Sequence, residues 1–530
     1  MENKKFYITT PIYYASGNLH IGHAYTTVVC DAIARYKKMR GYDVYYATGT
    51  DEHGEKVQNK AAEKGVTPKE YVDELVAKIK DLWETLHIDY DKFIRTTDKE
   101  HEESVQKIFS YFLEKGDIYK GKYEGWYCTP CESFWTESQL DENHCCPDCG
   151  RPVVKKEEES YFFKMSKYAD RLMAYYNEHP EFIEPIARKN EMVNNFIKPG
   201  LEDLCVSRTS FSWGIPVKED PRHVVYVWLD ALTNYINLLG YNSNDTTLFD
   251  KFWKNDENHE ILHIIGKEIV RFHVIYWPIF LMALDLPLPS KIYAHGWIVM
   301  KDGKMSKSKG NIVRPEPLIE KYGLDALRFF MVKGIPFGND GVFTPEIYVE
   351  TINTNLVNDF GNLLNRTVSM ITKYFGGEIP EYKGDVTPFD SAFRVFGKAC
   401  IEEYTTNFDK FQIDQAITAC INYVSRANKY IDETQPWALA KDETKRAELA
   451  SVMSHLATCL RQSAIMLSPV LLTAPAKLYK QLGLEESEQT FDSILDWTMV
   501  SNHKVEKGEI LFPRLDASIE VPFIKELMEG

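Results

Sequence analysis

The chain has 530 residues, which is too long for one hydrophobic core, so we expect two to four domains. A hydrophobic content of 44% predicts a folded protein. The most apolar stretch, FHVIYWPIFLMALDLPLP, is interrupted by His273, Pro278 and Asp285, so it falls short of the roughly 18 apolar residues of a spanning helix. The N-terminus lacks the pattern of a signal peptide, which favours a soluble cytoplasmic protein. A net charge of −16 argues against bulk attraction to nucleic acid but does not exclude a local basic track.

The first elements alternate between strand and helix. KFYITT predicts a buried strand, IGHAYTTVVCDAIARYKKMRG predicts a helix closed by Gly41, and DVYYATG predicts a second strand. A strand, a turn, a helix and a strand in this order are typical of the start of an open parallel sheet.

Two histidines, His20 and His23, lie in the turn between the first strand and the first helix, in the stretch SGNLHIGHAY. They share one face of the first helical turn, where unpaired N–H groups and the positive end of the helix dipole favour an anion. Gly22 leaves the backbone open to a flat ligand, and two imidazoles can donate hydrogen bonds to phosphate oxygens. The alternative is a pair of solvated histidines at a helix start.

Helical patterns from about Thr67 to Lys115 lead into a segment rich in cysteine, proline, glycine and aromatic residues. Ten cysteines in so long a chain do not form a disulfide scaffold, but five of them fall within 22 residues here. The two Cys-x-x-Cys pairs, CTPC and CPDCG, predict a structural zinc knuckle with a closed tetrahedral site. Cys145 leaves a small ambiguity of register, and the CxxCG form favours Cys146. The predicted ligands are Cys128, Cys131, Cys146 and Cys149.

The alternation of strands and helices returns from HVVYVWLDALTNYI to KIYAHGWIVM, so we interpret one sheet domain interrupted by an inserted subdomain. Trp228, Ala231, Leu232 and Tyr235 share one face of a predicted helix. Periodicity alone makes this face a core stripe. His273, on an apolar predicted helix, is by the same argument a core histidine.

The stretch KDGKMSKSKGN follows a late strand, and its Asp-Gly pair signals a tight turn. Lysines on such a loop, including Lys304 and Lys307, can neutralise a leaving polyphosphate while serines and backbone amides hold it. In isolation the stretch is better interpreted as a solvated charged loop. From Ile347 to about Leu482 the apolar residues follow a helical period, which predicts a helix bundle, and a short tail follows it.

The combination of HIGH after the first strand and KMSKS after a late strand resembles the class I aminoacyl-tRNA synthetases, and among them the bacterial-type methionyl-tRNA synthetases. The resemblance runs over nearly the whole chain. It implies an α/β fold: a Rossmann-like parallel-sheet catalytic domain, split by a zinc-knuckle insertion and followed by an α-helical anticodon-binding bundle. The expected division is catalytic domain 1–115 and 222–325, insertion 116–221, linking segment 326–346, anticodon-binding domain 347–500 and a tail, 501–530, packed on the body.

The resemblance also implies the reaction. The carboxylate of methionine attacks the α-phosphate of Mg²⁺-bound ATP, which makes methionyl-adenylate, and the methionyl group then passes to tRNA(Met). His20 and His23 would contact the phosphates, and Lys307 with Lys304 would stabilise the transition state, so that catalysis is positioning plus electrostatic stabilisation. The residues implied for ATP are His20, Gly22, His23, Gly266, Glu268, Gly296, Trp297, Ile298 and Lys307.

Two further sets of residues take a role only through the resemblance. An aromatic and aliphatic lining suits a polarisable thioether, and Asp51, after the second strand, would hold the substrate ammonium. The implied methionine site comprises Ile12, Tyr14, Asp51, Trp228, Ala231, Leu232, Tyr235, Ile269 and His273. Asn362, Arg366 and Trp437 would read the anticodon by hydrogen bonding and stacking. Without the resemblance they would be a polar helix face and a packed tryptophan.

Rival interpretations remain within and outside this family. Enzymes that charge isoleucine, valine or leucine share both signatures but carry a large editing insertion, for which the interval 116–221 has little room. A cysteine-charging enzyme binds its substrate thiol with its metal, which a site closed by four cysteines cannot do. A non-catalytic zinc-dependent RNA-binding protein would leave both signatures unused. Many bacterial relatives continue into a dimerising OB-fold domain, and the sequence stops at Gly530, so a monomer with weaker tRNA affinity is expected.

Overall fold

The computed structural model describes residues 3–15, 17, 19–301, 303–304 and 312–529. The strands are β1 Lys5–Thr9, β2 Tyr13–Tyr14, β3 Asp43–Asp51, β4 Lys92–Arg95, β5 Ile118–Cys128, β6 Ser133–Trp135, β7 Val154–Phe163, β8 Ile183–Glu184, β9 Leu204–Cys205, β10 Ser207–Arg208, β11 Val224–Val225, β12 His259–Gly266, β13 Lys291–His295, β14 Ile298–Met300, β15 Gly303–Lys304 and β16 Gly341–Val342.

Helices connect these strands and form most of the C-terminal half. They are α1 Ile21–Met39, α2 Glu55–Lys64, α3 Pro68–Thr85, α4 Lys99–Glu114, α5 Ala169–Glu178, α6 Ile186–Met192, α7 Val227–Asn237, α8 Thr247–Phe252, α9 Trp277–Ala283, α10 Pro315–Tyr322, α11 Leu324–Phe329, α12 Pro345–Thr351, α13 Asn362–Phe375, α14 Asp390–Asp409, α15 Ile413–Thr434, α16 Pro436–Leu439, α17 Arg446–Leu467, α18 Ala474–Leu482 and α19 Ala517–Glu529. Segments of π-helix occupy Val193–Ile197, Phe272–Tyr276, Phe330–Gly334 and Ile352–Gly361.

Contacts divide the chain into two compact units. The first unit comprises residues 1–19 and 42–296, and the second comprises residues 20–41 and 297–530. The first helix therefore groups with the C-terminal half of the chain, although it lies between two strands of the first unit in sequence. The domain boundaries drawn from the sequence stay predictions.

A parallel sheet forms the centre of the first unit. Within the described chain it has seven strands in the order β2-β3-β1-β12-β13-β8, with β4 paired to β3, and all its pairs are parallel. Phe6, Tyr7 and Ile8 of β1 are fully buried, as expected for a strand covered on both faces. The α/β fold class predicted from the sequence is confirmed.

One part of the prediction for this unit is wrong. The helical pattern from Thr67 to Lys115 is interrupted, because β4 lies between α3 and α4 and pairs with Ala47 to Thr50 of β3. The helix α3 itself begins as its sequence suggests, since Thr67 and Glu70 form a reciprocal capping box and Pro68 is its first residue.

The inserted cysteine-rich segment forms an antiparallel sheet of its own in the first unit, in the order β6-β5-β7-β9. The long pair of β5 and β7 runs in register from Ile118 opposite Phe163 to Tyr127 opposite Val154. This pairing brings the ends of the strands, and the two Cys-x-x-Cys turns that follow β5 and precede β7, to the same end of the sheet.

Helices dominate the second unit, as the period from Ile347 to Leu482 predicts. Helix α17 is buried on all sides from Ser451 to Leu467, which is the property of a central helix. Near the C-terminus, Glu520 of α19 accepts a hydrogen bond from Tyr322 at 2.7 Å and pairs with Lys321 at 2.7 Å. Among the described residues, none of the helices has the length and apolar character that crossing a membrane requires.

Candidate active site

The two histidines of the first signature form the start of α1. Gly22 N–H donates to Nδ1 of His20 at 3.1 Å, and His20 N–H donates to Nδ1 of His23 at 3.2 Å. Because Nδ1 is the acceptor in each ring, a neutral imidazole here carries its proton on Nε2, which is a donor. Burial, and then the nearby His20, lower the pKa of His23 to about 3. The described first turn of α1 has no acidic residue, so the positive end of the helix dipole is not neutralised there. The expectation of unpaired N–H groups is wrong, because those of Gly22 and His23 both donate to His20, to Nδ1 and to the carbonyl.

The chain beyond the second signature contacts the start of α1 within the second unit. Ile21 N–H donates to the carbonyl of Val313 at 3.0 Å. On the other side of the signature, the backbone of Lys304 lies in β15, opposite Val299 of β14. Lys307 lies outside the described residues. Trp297 and Ile298 begin the β14 segment, and Trp297 N–H donates to Asp340 Oδ1 at 2.9 Å.

Two glycines of the implied ATP site lie at the carboxyl ends of neighbouring parallel strands in the first unit. Gly266 ends β12 and is in register with His295 of β13, after which Gly296 follows. A Cβ at Gly266 would lie 2.4 Å from the carboxylate of Glu268, so a larger residue here would require that side chain to move. Open α/β sheets bind ligands at such strand ends.

The implied methionine residues gather in the first unit around α7. Tyr235 and His273 form a hydrogen bond of 2.7 Å between the hydroxyl and Nε2, while His273 Nδ1 lies 2.9 Å from the carbonyl of Ile269. A carbonyl can only accept, so Nδ1 carries the proton and the tyrosine donates to Nε2. Burial lowers the pKa of His273 to about 4, which keeps the ring neutral at pH 7. Its backbone is π-helical rather than the regular helix that the sequence predicts.

Aromatic and small apolar side chains complete this region. Trp228 stacks on Phe272 with 3.6 Å between ring centroids and 9° between planes. Ala231 and Leu232 are buried on α7, and Ile12 packs, half-buried, on the same core. The indole N–H of Trp228 is buried with no hydrogen-bond partner among the described residues.

Asp51 ends β3 and lies opposite Tyr14 of β2 in the parallel pairing. Its Oδ1 is buried, and no described residue offers it a hydrogen bond. Burial, and then the charges of Asp230 and Glu132, raise the pKa of Asp51 well above its usual range. A buried carboxylate with one unpaired oxygen is stabilised by a cationic ligand, because an opposite charge offsets the cost of its desolvation.

A buried charged group that the sequence analysis missed lies on the other face of α7. Asp230 accepts from His53 Nδ1 at 2.7 Å and from His101 Nε2 at 2.7 Å. Burial is the largest single influence and would lower the pKa of His53, but the charge of Asp230 and the hydrogen bonds to Asp230 and Glu102 together outweigh it and raise the pKa to about 10. A charged residue inside the apolar run VWLDALTNY is the signal that could have identified it.

The four predicted metal ligands meet at one end of the inserted sheet. The ligand atoms of Cys128, Cys131, Cys146 and Cys149 all lie within 4.8 Å of one another. Cys145 is not in this group, and its sulfur points to the carbonyl of Asn143. Four thiolates with no water or carboxylate are the donor set of a closed structural zinc site, so the residues fit the predicted metal.

The implied anticodon residues lie in the second unit. Asn362 and Arg366 are one turn apart at the start of α13. Arg366 lies 3.5 Å from Asp432, near the end of α15, and Trp437 follows on α16 with 45% of its surface exposed. An exposed tryptophan can stack a single-stranded base.

Comparisons with known proteins give one consistent result. The family model described as tRNA synthetases class I (M) matches residues 6–154 and 142–368. The chain is 56% identical to a protein named methionine--tRNA ligase from Bacillus subtilis and to another of that name from Halalkalibacterium halodurans, over 540 aligned residues, 100% of this chain and 81% of each relative. The structure is similar to Mycobacterium tuberculosis methionyl-tRNA synthetase in complex with methionyl-adenylate, with a TM-score of 0.91 and 38% identity, covering 96% of this chain and 100% of that one.

Proposed function

The chain belongs to the methionyl-tRNA synthetases of class I, and we propose that its signature residues carry out the two steps of that family's reaction. The enzyme activates L-methionine with ATP to methionyl-adenylate and transfers the methionyl group to the 3′-terminal adenosine of tRNA(Met), releasing AMP and pyrophosphate. The observation that carries this conclusion is 56% identity, along the whole chain, to proteins named methionine--tRNA ligase.

We propose that the first step needs no nucleophile from the protein. A carboxylate oxygen of methionine forms a bond to the α-phosphorus, and the bond from that phosphorus to the bridging oxygen breaks, with its electron pair leaving on pyrophosphate. The Nε2–H groups of His20 and His23 would donate to the phosphate oxygens as charge builds there. Lys304 and Lys307 would neutralise the leaving pyrophosphate. Mg²⁺ is expected to enter the site bound to ATP.

Recognition of methionine would combine one charge with an apolar lining. Asp51 would hold the ammonium group, which fits its buried, unpaired Oδ1. The hydroxyl of Tyr235 and the ring of His273 satisfy each other by a hydrogen bond. The thioether of methionine can therefore lie beside them without leaving either group unpaired. A substrate amino acid with a polar side chain of similar length would lose its hydrogen bonds to water in this site.

The remaining predicted site residues would contact the nucleotide, the anticodon and the metal. Gly22, Gly266 and Gly296 would allow close approach of the nucleotide, with Glu268, Trp297 and Ile298 beside its ribose and adenine. Asn362, Arg366 and Trp437 would read the anticodon. Zinc bound by the four cysteines would supply structure rather than chemistry, because four protein ligands leave no open position.

Amino-acid-dependent ATP–pyrophosphate exchange tests this proposal, with each standard amino acid assayed separately and without tRNA. Exchange with methionine alone is the expected result. Exchange with a different amino acid would overturn the assignment of the pocket while leaving the phosphate chemistry intact. A folded, zinc-loaded protein that exchanges with none would favour the non-catalytic RNA-binding alternative.

A further inference from the structure

Glu132 is a buried acidic residue of the first unit, in the segment that carries the metal ligands. It follows Cys131 directly, and only 4% of its surface is exposed. Its backbone φ is 49°, in the left-handed region that non-glycine residues seldom adopt. Backbone strain of this kind persists where surrounding contacts fix the residue. The N–H of Glu132 donates to the carbonyl of Thr129 in the first cysteine turn at 3.4 Å, and its other contacts are with elements outside the cysteine turns.

The side chain of Glu132 joins two elements next to the proposed methionine site. Its Oε1 accepts a hydrogen bond from the hydroxyl of Tyr14 on β2 at 2.6 Å and from the N–H of Lys56, in the first turn of α2, at 3.3 Å. Gly54 leaves the space for this carboxylate, since a Cβ there would lie 2.4 Å from one of its oxygens. The backbone and the carboxylate are therefore fitted to each other.

The backbone of Glu132 reaches a third element. Its carbonyl accepts a hydrogen bond of 2.6 Å from the hydroxyl of Tyr226, the residue immediately before α7. Helix α7 carries Trp228 and Tyr235 of the proposed methionine site. One residue of the knuckle thus contacts β2, α2 and the start of α7.

We propose that Glu132 is a positioning residue for methionine. It acts through Tyr14, which lies opposite Asp51 in the pairing of β2 with β3, and Ala15 N–H also donates to the carbonyl of Asp51 at 2.8 Å. Holding Tyr14 fixes this strand pair and with it the carboxylate that would receive the substrate ammonium. The proposal rests on the methionine site proposed above, and it extends that site to a residue of the metal-binding insertion.

The test compares three substitutions in the full-length, metal-loaded enzyme by ATP–pyrophosphate exchange. Glu132→Ala removes the acceptor, and we expect the KM for methionine to rise about tenfold while the KM for ATP changes less than about twofold. Glu132→Gln keeps an oxygen at the position of Oε1 and should restore the methionine KM to within about twofold of the parent. Tyr14→Phe should raise the methionine KM as Glu132→Ala does, and the double variant should be no worse than either single variant.

Controls separate positioning from folding and from the metal. Glu124→Ala is the matched control, because Glu124 lies on β5 of the same sheet and pairs with Lys155 at the surface. Metal content and thermal midpoint are measured for every variant. If Glu132→Ala does not fold, Glu132→Asp, which withdraws the carboxylate by one methylene, replaces it in the comparison with Glu132→Gln.

The outcomes distinguish this proposal from the proposed function. No methionine-dependent exchange by the parent enzyme would overturn the function itself. A parent enzyme that exchanges, together with an unchanged methionine KM in Glu132→Ala or in its Asp replacement, would overturn the role of Glu132 alone. Equal increases in the KM for methionine and for ATP, or additive effects of Tyr14→Phe and Glu132→Ala, would also overturn it.

Discussion

The imidazoles of His23, His273 and His53 differ in protonation state according to what lies beside each ring. Burial lowers the pKa values of His23 and His273 to about 3 and about 4. His53 is equally buried but hydrogen-bonds to Asp230, and its pKa is raised to about 10. At neutral pH the first two are therefore neutral hydrogen-bonding groups, whereas the third is a cation paired with a carboxylate.

The raised pKa of His53 predicts a pH-dependent contribution to stability. A histidine whose pKa is raised by folding stabilises the fold fully below its ordinary pKa of about 6.5, and this contribution is lost as the pH rises through about 10. From pH 7 to 10 we expect the thermal midpoint of the parent to fall roughly 2–4 °C more than that of His53→Gln. Parallel curves for the two proteins would show that His53 is not charged in the folded state.

The unpaired carboxylate of Asp51 predicts a selective effect on methionine. Asp51→Asn keeps the shape of the side chain but removes the charge that would receive the ammonium. A hydrogen bond to a charged group contributes about 1.5–3 kcal/mol, so the methionine KM in pyrophosphate exchange should rise roughly 10- to 100-fold. The KM for ATP should stay near that of the parent.

Asp43→Asn provides the control for this prediction. Asp43 begins the strand that Asp51 ends, and it pairs with Lys5 and Lys251 at the other end of β3. A methionine KM that rises equally in both variants would point to a general loss of structure in β3 rather than to loss of an ammonium contact.

At the scale of single residues, the sequence predicts the chemical role of a side chain better than it predicts which distant residues that side chain contacts. The cysteine spacing identifies the four thiols that meet, because ligand spacing follows from the geometry of two short turns. Glu132 and Asp230 carry no such local signal, since their partners lie between 76 and 177 positions away along the chain. Only the packing of the sheet brings those groups together.

At the scale of elements, the knuckle is defined by four thiolates at one end of an antiparallel sheet. Cys146→Ser removes one ligand of a closed site, and a structural metal site loses most of its affinity when a ligand is lost. We expect about one zinc ion per chain in the parent and well under half an ion in Cys146→Ser. Metal analysis of the purified proteins after dialysis against a mild chelator measures this difference.

The neighbouring cysteine supplies the control for the knuckle. Cys145 stands beside Cys146 in sequence but outside the group of four sulfurs. Cys145→Ser should therefore retain the metal of the parent. Loss of metal in Cys145→Ser with retention in Cys146→Ser would mean that Cys145, rather than Cys146, is the third ligand.

Long, periodic elements are predicted from the sequence, and short or irregular ones are not. The first strand, helix and second strand agree with β1, α1 and β3 within a few residues. Strand β4 is missed because it has four residues, of which only Ile94 is buried, so its form depends on pairing with β3. The π-helical turn at His273 is missed because a shift of one residue in backbone hydrogen bonding leaves no compositional signal.

At the scale of the whole molecule, the sequence predicts the class of fold but not how contacts group its elements. Helix α1 joins the second unit through long-range contacts that no periodicity encodes. Arg328 Nη2 pairs with Asp31 at 2.6 Å, with both side chains fully buried, and Tyr36 stacks on Phe408 with centroids 4.3 Å apart. These partners are roughly 300 to 370 positions apart in the chain.

The grouping of the anticodon residues in one unit leads to a prediction that separates the two steps of the reaction. Trp437→Ala removes an exposed ring that would stack on a base, an interaction of about 1–3 kcal/mol. We expect kcat/KM for tRNA in aminoacylation to fall at least about fivefold, while methionine-dependent pyrophosphate exchange without tRNA stays unchanged. Phe396→Ala removes another exposed aromatic side chain of the same unit, from α14, and should leave both activities intact. Equal losses in exchange and in aminoacylation would mean that Trp437 supports the fold rather than reads the anticodon.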